Sequence, residues 1–331
     1  MIHKGEDPMG MEYILGLDVG GTKTAAVIGD TDGSVHLRHE IPTDAAQGFA
    51  DTFERICVAA GSVLGSAKKQ GLNVAWVSVS IGGPLDIEKG IIFSPPNLPG
   101  WDEVPLKRLL EKRLGLPCFV EHDGNAGALA EWHFGAGRGY RNVVFLTLGT
   151  GLGGGLILDG CLYRGTTDMA GEVGHIRLAK DGPMGYGKSG SWEGFCAGSG
   201  ITKLATWLFP ARWPEGSITL PELANSARGG DEDAIAVLHA SGERLGQGLA
   251  MIIDLLNPEV IVMGPLAIRL GEFILAPARE TIRREALAKS AEACKLKPSE
   301  LGERLGDVAA LCAAITAMRR ESAIRDSHQQ R

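Results

Sequence analysis

A cluster of glycines between two apolar segments is the feature that most limits how this chain can fold. Five glycines lie among the seven residues from Gly149 to Gly155, and both flanking segments are of the β-forming type. Glycine in the interior of a strand lowers its stability, whereas a tight hairpin turn needs only one or two glycines. The excess indicates that another group approaches the backbone very closely at this turn.

The same arrangement occurs earlier in the chain. A predicted strand over residues 13–17 is followed by a glycine turn at residues 18–23 (DVGGTK) and by a second strand. Asp32-Gly33 then predicts a hairpin into a third strand. After the later glycine turn, Asp159-Gly160 again leads into a third strand. The chain therefore contains two predicted three-stranded meanders, each with a glycine-rich first turn.

Helices and further strands follow each meander. After the first meander we predict helices at 47–66 and 105–114 and strands at 73–81 and 117–122; after the second we predict helices near 199–208 and 231–256 and a strand at 259–263. This alternation predicts an α/β protein built from two related halves.

Two interpretations of the glycine turns remain open at this point. Residues 149–154 match the pattern G-x-G-x-x-G, but a dinucleotide site requires a helix directly afterwards, and a strand is predicted instead. The Walker pattern and the H-R-D and D-F-G sequences of protein kinases do not occur. The turns are then either tight turns at sheet edges or two backbone cradles that hold a polyphosphate from two sides. The presence of two matched copies favours phosphate.

Composition excludes several classes of function. The 331 residues carry a formal net charge of −7, which disfavours a nucleic-acid partner because phosphate binding needs a basic surface. No run of about 18 apolar residues indicates a membrane span, and the first ten residues, MIHKGEDPMG, lack the apolar centre of a secretory signal. The six cysteines are scattered without close pairs, which is typical of reduced thiols in a cytoplasmic protein.

Seven short motifs resemble, in their order along the chain, those of the ROK sugar kinases (repressor, open reading frame, kinase), which have the actin-like sugar-kinase fold. They are LGLDVGGTKT at 15–24, SIGGPLD at 80–86, PNLPGW at 96–101, EHDGNA at 121–126, LGTGLGGG at 148–155, GEVGH at 171–175 and NPEVIVMG at 257–264. The resemblance extends from about Leu15 to about Met318. It implies two α/β lobes, each a βββαβα-type half, around a central cleft, and a homodimer.

The resemblance also divides the chain into two domains. Residues 12–120 together with 309–325 are expected to form a small α/β domain that carries the first phosphate loop and the sugar-side loops. Residues 121–308 are expected to form a large α/β domain with the catalytic aspartate, the second phosphate loop and the adenine side. ATP and sugar are expected to close the cleft between the lobes.

The match implies the catalytic chemistry. Asp123 corresponds to the general base that takes the proton of the sugar hydroxyl, although an aspartate directly before a predicted helix is more often a helix cap. Asp18 ends a strand at the phosphate turn, where a carboxylate would repel phosphate unless a cation lies between them. We therefore expect Asp18 to hold the Mg²⁺ that accompanies ATP, through water. The alternative for Asp18 is a turn-forming aspartate.

Two further sets of residues are implied by the same match. The expected nucleotide and phosphate contacts are Gly20, Gly21, Thr22, Lys23, Gly149, Thr150, Gly151 and Gly264. The expected sugar contacts are Asn97, Asp123, Glu172, His175 and Glu193. Carboxylates and amides suit this purpose because they bind hydroxyl groups in defined directions. Each of these residues also has an alternative interpretation without a functional role: Lys23 as an exposed strand lysine, Asn97 as a turn asparagine, His175 as a structural histidine, and Glu172 as a loop glutamate.

Some positions depart from the family pattern. The ROK zinc site uses the histidine of the GH pair and three cysteines. In this chain the three cysteine positions hold Met184, Tyr186 and Ser191. Because thiolates give such a site its affinity, we predict no structural zinc and expect His175 to serve the sugar alone. His122 replaces the usual asparagine before the base, and Pro265 follows Gly264 on the adenine side, where it removes a backbone N–H.

The sequence thus predicts ATP-dependent phosphorylation of a hexose. Glucose is the first choice, because Glu172, His175 and Glu193 resemble the glucokinase branch. His122 makes another hexose such as fructose, or an N-acetylhexosamine (N-acetylmannosamine or N-acetylglucosamine), the second choice. A DNA-binding ROK repressor is disfavoured, since only about a dozen residues precede the first predicted strand. A sugar-sensing ROK protein without turnover remains an alternative.

Overall fold

The chain forms two compact units. The computed structural model describes the backbone of residues 12–329 and the side chains of residues 12–320; the N-terminal segment in which no secretory signal is expected lies outside the described residues. The first unit consists of the described residues up to Ala130, of Gly165–Met169 and of the residues from Glu303 onwards, and the second of Glu131–Arg164 and Ala170–Gly302. No helix within the described residues is both long and apolar enough to cross a bilayer.

The elements follow the order that the two meanders predict. The first are β1 (Tyr13–Val19), β2 (Lys23–Gly29), β3 (Val35–Pro42), α1 (Phe49–Lys69), β4 (Val74–Ile81), β5 (Leu85–Asp86), β6 (Ile91–Ile92), α2 (Leu106–Leu114), β7 (Cys118–His122) and α3 (Asp123–Phe134). The chain continues with β8 (Val143–Leu146), β9 (Gly154–Leu158), β10 (Cys161–Tyr163), β11 (Met184–Gly185), β12 (Lys188–Ser189), α4 (Trp192–Cys196), α5 (Gly198–Leu208), α6 (Leu220–Arg228) and α7 (Glu232–Leu256). The last are β13 (Val260–Met263), α8 (Pro265–Leu270), α9 (Glu272–Glu285), α10 (Ala288–Ala293), β14 (Lys295–Pro298) and α11 (Leu305–Gln329).

Each unit is built on a five-stranded sheet, and the two sheets have the same topology. The strand order is β3-β2-β1-β4-β7 in the first unit and β10-β9-β8-β13-β14 in the second. In both, the meander is antiparallel, and its first strand pairs in parallel with a strand that follows a helical segment. The last strand also joins in parallel. The prediction of an α/β fold with two related halves is confirmed.

The boundary between the units follows from strand pairing. Parallel bonds join β7 to β4 from Val77↔Cys118 to Ile81↔His122, so β7 and the start of α3 belong to the first unit. The sequence expectation divided the chain after residues 120 and 308, whereas the units divide after Ala130 and after Gly302. The second difference arises because α11 begins at Leu305 and packs on β1 and β4 of the first unit.

Two glycines in the first sheet allow α11 to approach it closely. A Cβ built on Gly16 would lie 2.9 Å from Leu311 Cδ2, and a Cβ built on Gly29 would lie 2.4 Å from Leu311 Cδ1. Leu311 is fully buried. The backbone N–H of Ala314 also donates to the Ser78 hydroxyl on β4 at 3.2 Å. These glycines therefore serve helix-on-sheet packing.

Glycines on α7 have the same effect in the second unit. A Cβ on Gly246 would lie 2.5 Å from the carbonyl oxygen of Ala278 on α9. A Cβ on Gly248 would lie 2.2 Å from Cε2 of Trp192, whose indole is fully buried. The long helix α7 can therefore pack with its backbone against α9 on one side and the indole on another.

A matched pair of glycine-to-alanine substitutions should separate this packing from helix propensity. Gly248→Ala places a methyl group 2.2 Å from Cε2 of the Trp192 indole. Overpacking of this kind costs about 1–3 kcal/mol of the free energy of unfolding. Gly61 is exposed on α1 with no neighbouring atom from elsewhere within 4 Å of a new methyl group, so Gly61→Ala should stabilise by up to about 1 kcal/mol. Urea unfolding followed by circular dichroism measures both effects. Equal midpoints for the two variants would contradict the packing of α7 on Trp192.

Candidate active site

The parallel strands of the first unit end at one edge of its sheet. In the register, Val19 pairs with Ile81, and Ile81 pairs with His122. The next residues along the chain are Gly20, Gly82 and Asp123. Carboxyl ends of parallel strands meet at the same edge, so the first glycine turn, the SIGG loop and the expected base lie side by side.

The β1–β2 turn is shaped by a close contact with a neighbouring loop. The N–H of Gly20 donates to the carbonyl of Lys23 at 3.1 Å and closes the turn. A Cβ on Gly21 would lie 2.7 Å from both the Cβ and the carbonyl oxygen of Asn97. Thr22 is exposed at the tip of the turn. The structure therefore brings Asn97, an expected sugar residue, against an expected phosphate residue.

Lys23 belongs to a surface network of ion pairs. Its Nζ lies 3.2 Å from Glu40 Oε2, and its side chain is 65% exposed. Arg38 pairs with the same glutamate and also with Asp307, at 2.9 Å between Nε and Oδ2. Exposed pairs of this kind contribute only about 0–1 kcal/mol, so Lys23 is not held firmly. This arrangement favours the alternative in which Lys23 is an exposed strand charge.

The side chain of Asp18, at the end of β1, lies where its negative charge is unfavourable. Burial, together with the charges of Asp123 and Asp307, raises the pKa of Asp18 to about 6. Lys23 and Arg38 offset part of the effect. Within the described residues these carboxylates do not form a group that could ligate a metal directly, so a cation at Asp18 would be held through water and by phosphate oxygens. Asp18 is thus suited to Mg²⁺, which would remove the repulsion.

Helix α11 also reaches this carboxylate. A Cβ on Gly306 would lie 2.6 Å from Asp18 Oδ2, so the first turn of α11 packs directly on Asp18. Asp307 follows it and brings the second negative charge. The motifs of the sequence did not single out either residue, because they are separated from Asp18 by nearly the whole chain and carry no local pattern.

Asp123 sits where β7 ends and α3 begins. Its carboxylate is 53% exposed, and Oδ1 lies 3.4 Å from Nδ1 of His122. The N–H of Gly124 donates to Asp123 Oδ1 at 2.7 Å and to His122 Nδ1 at 3.2 Å. A helix cap would instead accept from an amide two or three residues further on, and among the described residues Asp123 has no such bond. This geometry argues against the helix-cap alternative.

His122 is buried against the SIGG loop. It is 8% exposed, and a Cβ on Gly83 would lie 2.8 Å from its Cδ2. Since Nδ1 accepts the bond from Gly124, Nε2 carries the proton in the neutral ring. The residue that replaces the family's asparagine therefore fills space beside Asp123.

The second glycine turn is lined by groups of the protein itself. A Cβ on Gly151 would lie 3.0 Å from Glu193 Oε2, and a Cβ on Gly154 would lie 3.3 Å from the carbonyl of Gly171. By contrast, Gly149 and Gly153 have only atoms of Thr147 nearby, at 3.8 Å. The expectation of a close approach is confirmed, but at two of the five glycines the approaching group is protein. The strand β9 follows directly, as predicted, and excludes a dinucleotide fingerprint.

The adenine-side motif is explained by backbone packing. Gly264 follows β13, and a Cβ there would lie 1.8 Å from the carbonyl oxygen of Thr147. Its N–H donates to the carbonyl of Leu146 at 2.8 Å. Pro265 is the first residue of α8, where the missing N–H costs nothing. The departure from the family pattern at Pro265 thus has a structural reason.

Three expected sugar residues come together in the second unit. Nε2 of His175 lies 4.0 Å from Glu172 Oε2. Glu193, in the first turn of α4, accepts a hydrogen bond from the N–H of Leu152 at 3.0 Å. Burial raises the pKa of Glu193, while the Leu152 N–H, His175, Lys203 and Tyr186 favour its charged form. Two carboxylates and an imidazole in one cluster are well suited to hydroxyl groups.

The positions that hold zinc ligands in the family make other contacts here. Met184 is half exposed. Tyr186 stacks on His175 with the ring centroids 4.1 Å apart. The Ser191 hydroxyl donates to the carbonyl of Gly185 and caps α4 by accepting from the N–H of Gly194, both at 3.1 Å. Within the described residues, no three histidine, cysteine or acidic side chains are grouped as metal ligands.

Comparison with known proteins agrees with this arrangement. Residues 14–317 match the ROK family. A glucokinase of Streptomyces coelicolor is 34% identical over 288 residues, which are 83% of this chain and 88% of that protein. The structure of a ROK hexokinase from Thermus thermophilus covers 93% of this chain and 99% of its own, with a TM-score of 0.79 and 32% identity. A ROK family glucokinase from Streptomyces griseus, in complex with glucose and AMPPNP, covers 90% and 97%, with a TM-score of 0.75 and 32% identity.

Regulators of the same family also match. A xylose repressor of Bacillus subtilis is 24% identical over 298 residues, which are 88% of this chain and 74% of the repressor.

The two units have the α/β fold of the actin-like sugar kinases. The chain belongs to the ROK family.

The charge on Asp18 should make the protein less stable at neutral pH than a neutral side chain would. The folded-state pKa of Asp18 is raised from 3.8 to about 6. The contribution of Asp18 to the free energy of unfolding therefore falls as the pH rises through this window and is constant above it. Without nucleotide or divalent cations, Asp18→Asn should stabilise the protein above pH 6 by on the order of 2 kcal/mol, and the gain should vanish below pH 4. Thermal unfolding at several pH values measures this. Asp159→Asn, at an exposed turn, is the control and should show no such dependence.

The side chains at the family's zinc positions predict a protein without structural zinc. Elemental analysis of protein purified without chelators should find well under one zinc per chain, because a thioether, a phenol and a capped hydroxyl replace three thiolates. Added zinc should leave the melting temperature unchanged. One tightly held zinc per chain would contradict our interpretation of Met184, Tyr186 and Ser191.

Proposed function

We propose that this protein transfers the γ-phosphoryl group of ATP to a hydroxyl of a hexose, with glucose as the first candidate. The observation that carries the proposal is the exposure and orientation of the Asp123 carboxylate. Its carboxylate is half exposed, is held at one oxygen by the Gly124 N–H, and lies at the same sheet edge as the first glycine turn. A base for phosphoryl transfer needs such an accessible and oriented carboxylate.

Asp123 acts as the general base. As the sugar hydroxyl oxygen attacks the γ-phosphorus, its proton passes to the carboxylate of Asp123 and ADP departs as the leaving group. The bond from Gly124 to Oδ1 fixes the rotation of the carboxylate. Oδ2 faces Gly82, where a Cβ would lie 3.8 Å away.

The two glycine turns bind the phosphates. The N–H groups of Gly20 and Gly149 close the two turns, so the donors are the N–H groups that follow them at Gly21, Thr22, Thr150 and Gly151, and Gly149 and Gly153 have the open surroundings that a phosphate oxygen needs. Asp18 would hold Mg²⁺ through water, and the ion would supply positive charge that offsets the charge developing on the phosphates. Gly264, at the end of β13, faces the adenine side.

The sugar is bound by Asn97, Glu172, His175 and Glu193. Glucose is preferred because the glucokinases compared above are similar to this chain over most of their length, and because the cluster of Glu172, His175 and Glu193 offers several hydroxyl acceptors. His122 lies beside Asp123 and narrows the space there. Another hexose or an N-acetylhexosamine is therefore the second candidate.

A sugar-sensing protein without turnover is the competing function. The match to a xylose repressor supports it, as does the bulk of His122 beside the base. The oriented Asp123, the raised pKa of Asp18 and the retention of both glycine turns favour a kinase. A sensor has no need for a carboxylate positioned to accept a proton. As in the family, the active form is proposed to be a homodimer.

Replacement of Asp123 by asparagine should abolish most of the turnover. Asp123→Asn keeps the size of the side chain but cannot accept a proton, and general bases contribute about 10²- to 10⁴-fold. The kcat for the preferred hexose should fall at least 10²-fold, while the Kd of the sugar by calorimetry changes less than about threefold. A coupled ADP-release assay over a panel of hexoses and N-acetylhexosamines measures kcat.

Asp231→Asn provides the matched control. Asp231 caps α7 by accepting from the N–H of Ala234 at 3.0 Å, and asparagine caps almost as well. Its ion pair with Arg212 is at the surface, where such pairs contribute little to stability, so activity should remain at the wild-type value and the melting temperature close to it. If Asp123→Asn behaves like this control, the general-base mechanism is wrong. Turnover of a sugar other than glucose would change only the substrate, and wild-type protein that binds sugar without releasing ADP would support the sensor.

A further inference from the structure

A two-residue hairpin in the second unit presents an aromatic side chain from an unfavourable backbone conformation. Strands β11 and β12 pair through Met184↔Ser189 and Gly185↔Lys188. The turn between them consists of Tyr186 and Gly187, with φ of 51° and 66°. Such turns favour asparagine, aspartate or glycine at the first position, and an aromatic residue with positive φ is strained. Contacts of the Tyr186 side chain must therefore offset this cost.

The first contact is with His175. The rings of Tyr186 and His175 lie 4.1 Å apart between centroids, with an angle of 23° between their planes. Tyr186 is 43% exposed and the side chain of His175 is 46% exposed. Both rings thus lie at the surface and cover each other on one face. A half-exposed imidazole without such a neighbour would sample several orientations.

The second contact is with Glu193. The Tyr186 hydroxyl favours the charged form of this carboxylate by hydrogen bonding, together with the N–H of Leu152. Leu152 belongs to the second glycine turn, and the bond from its N–H to Glu193 Oε2 is 3.0 Å long. Tyr186 therefore stacks on one of the side chains proposed to bind the sugar and influences the charge of a second.

The hairpin that carries Tyr186 is fixed to its surroundings. Lys188 Nζ donates to the carbonyl of His175 at 2.6 Å, so the hairpin is attached to the backbone of the residue on which Tyr186 stacks. On the opposite strand, Lys203 Nζ of α5 donates to the carbonyl of Met184 at 3.0 Å. The Ser191 hydroxyl donates to the carbonyl of Gly185. The tip of the hairpin is thus a defined support for a neighbouring ring.

We propose that Tyr186 is a positioning residue of the sugar site. It holds the imidazole of His175 by stacking, so that this ring faces the sugar in one geometry. The proposal rests on the proposed function for the identity of the ligand. In this chain a tyrosine at the tip of a hairpin orients the histidine, at a position where the ROK zinc site has a cysteine.

Kinetics of Tyr186 variants test the proposal. Stacked aromatic pairs contribute enough for a change of about 2- to 10-fold, so Tyr186→Ala should raise the KM of the hexose by at least about threefold. The KM of ATP should stay within twofold. Tyr186→Phe keeps the stack and loses the hydroxyl, so its hexose KM should lie between those of wild type and Tyr186→Ala. An unchanged hexose KM in a folded Tyr186→Ala protein overturns the proposal.

Two control variants separate this role from general damage. Met184→Ala changes an exposed side chain of the same hairpin, and Tyr163→Ala removes an exposed tyrosine of β10. Both should keep the hexose KM of the wild type. If Met184→Ala raises the hexose KM as much as Tyr186→Ala does, the hairpin as a whole is responsible and the positioning role is wrong.

A spectroscopic measurement keeps the test independent of activity. In protein labelled at its histidine rings, the Hδ2 and Hε1 signals of His175, assigned with His175→Gln, should be shifted upfield by the ring current of Tyr186. Tyr186→Phe should retain this shift and Tyr186→Ala should lose it. Identical His175 signals in wild type and Tyr186→Ala overturn the proposal. If no hexose is phosphorylated, the proposed function fails, and these signals with calorimetric sugar titration still decide the role of Tyr186.

Discussion

The parallel pairing at the centre of each sheet is the constraint on which the rest of the structure depends. In the first unit, hydrogen bonds from β1 to β4 and from β4 to β7 set one register across three strands. That register brings the ends of the strands to a common edge, where Gly20, Gly82 and Asp123 follow one another across the sheet, two residues beyond Asp18 on β1. A shift of one residue would reverse the face of each side chain. The charge interaction between Asp18 and Asp123 is a consequence of this pairing.

Close packing against the backbone is the second constraint on the structure, and it explains many of the 47 glycines of the chain. Gly16 makes room for Leu311, and Gly248 makes room for Trp192. The same requirement occurs at the site, where Gly21 lies against Asn97. A glycine-rich pattern therefore has two physical origins in this chain. One is the approach of another protein group, and the other is an uncrowded backbone, as at Gly149 and Gly153, where we propose that phosphate binds.

Most of the fold could be predicted because its signals are local. Alternation of apolar residues and the Asp-Gly turns located both meanders, and the apolar segment before residue 81 located β4. The roles of the site residues stay predictions. Asp18, Asp123 and the cluster of Glu172, His175 and Glu193 were singled out through the family resemblance; Asp18 interacts electrostatically with Asp123, and His175 interacts with Glu172 and Glu193. Asp307 was missed, since no local pattern connects it to Asp18.

The sequence by itself determined the strand order within each meander, the repetition of the two halves and the residue types available for phosphate, cation and sugar. The first two follow from periodicity and turn chemistry, which act over a few residues, whereas the residues for phosphate, cation and sugar are what the family resemblance implies. Only the tertiary structure decided that Lys23 pairs with Glu40, that α11 packs on Asp18 through Gly306, and that Tyr186 stacks on His175. The physical reason is that pKa shifts, ring stacking and close packing depend on distances of a few ångströms between distant parts of the chain.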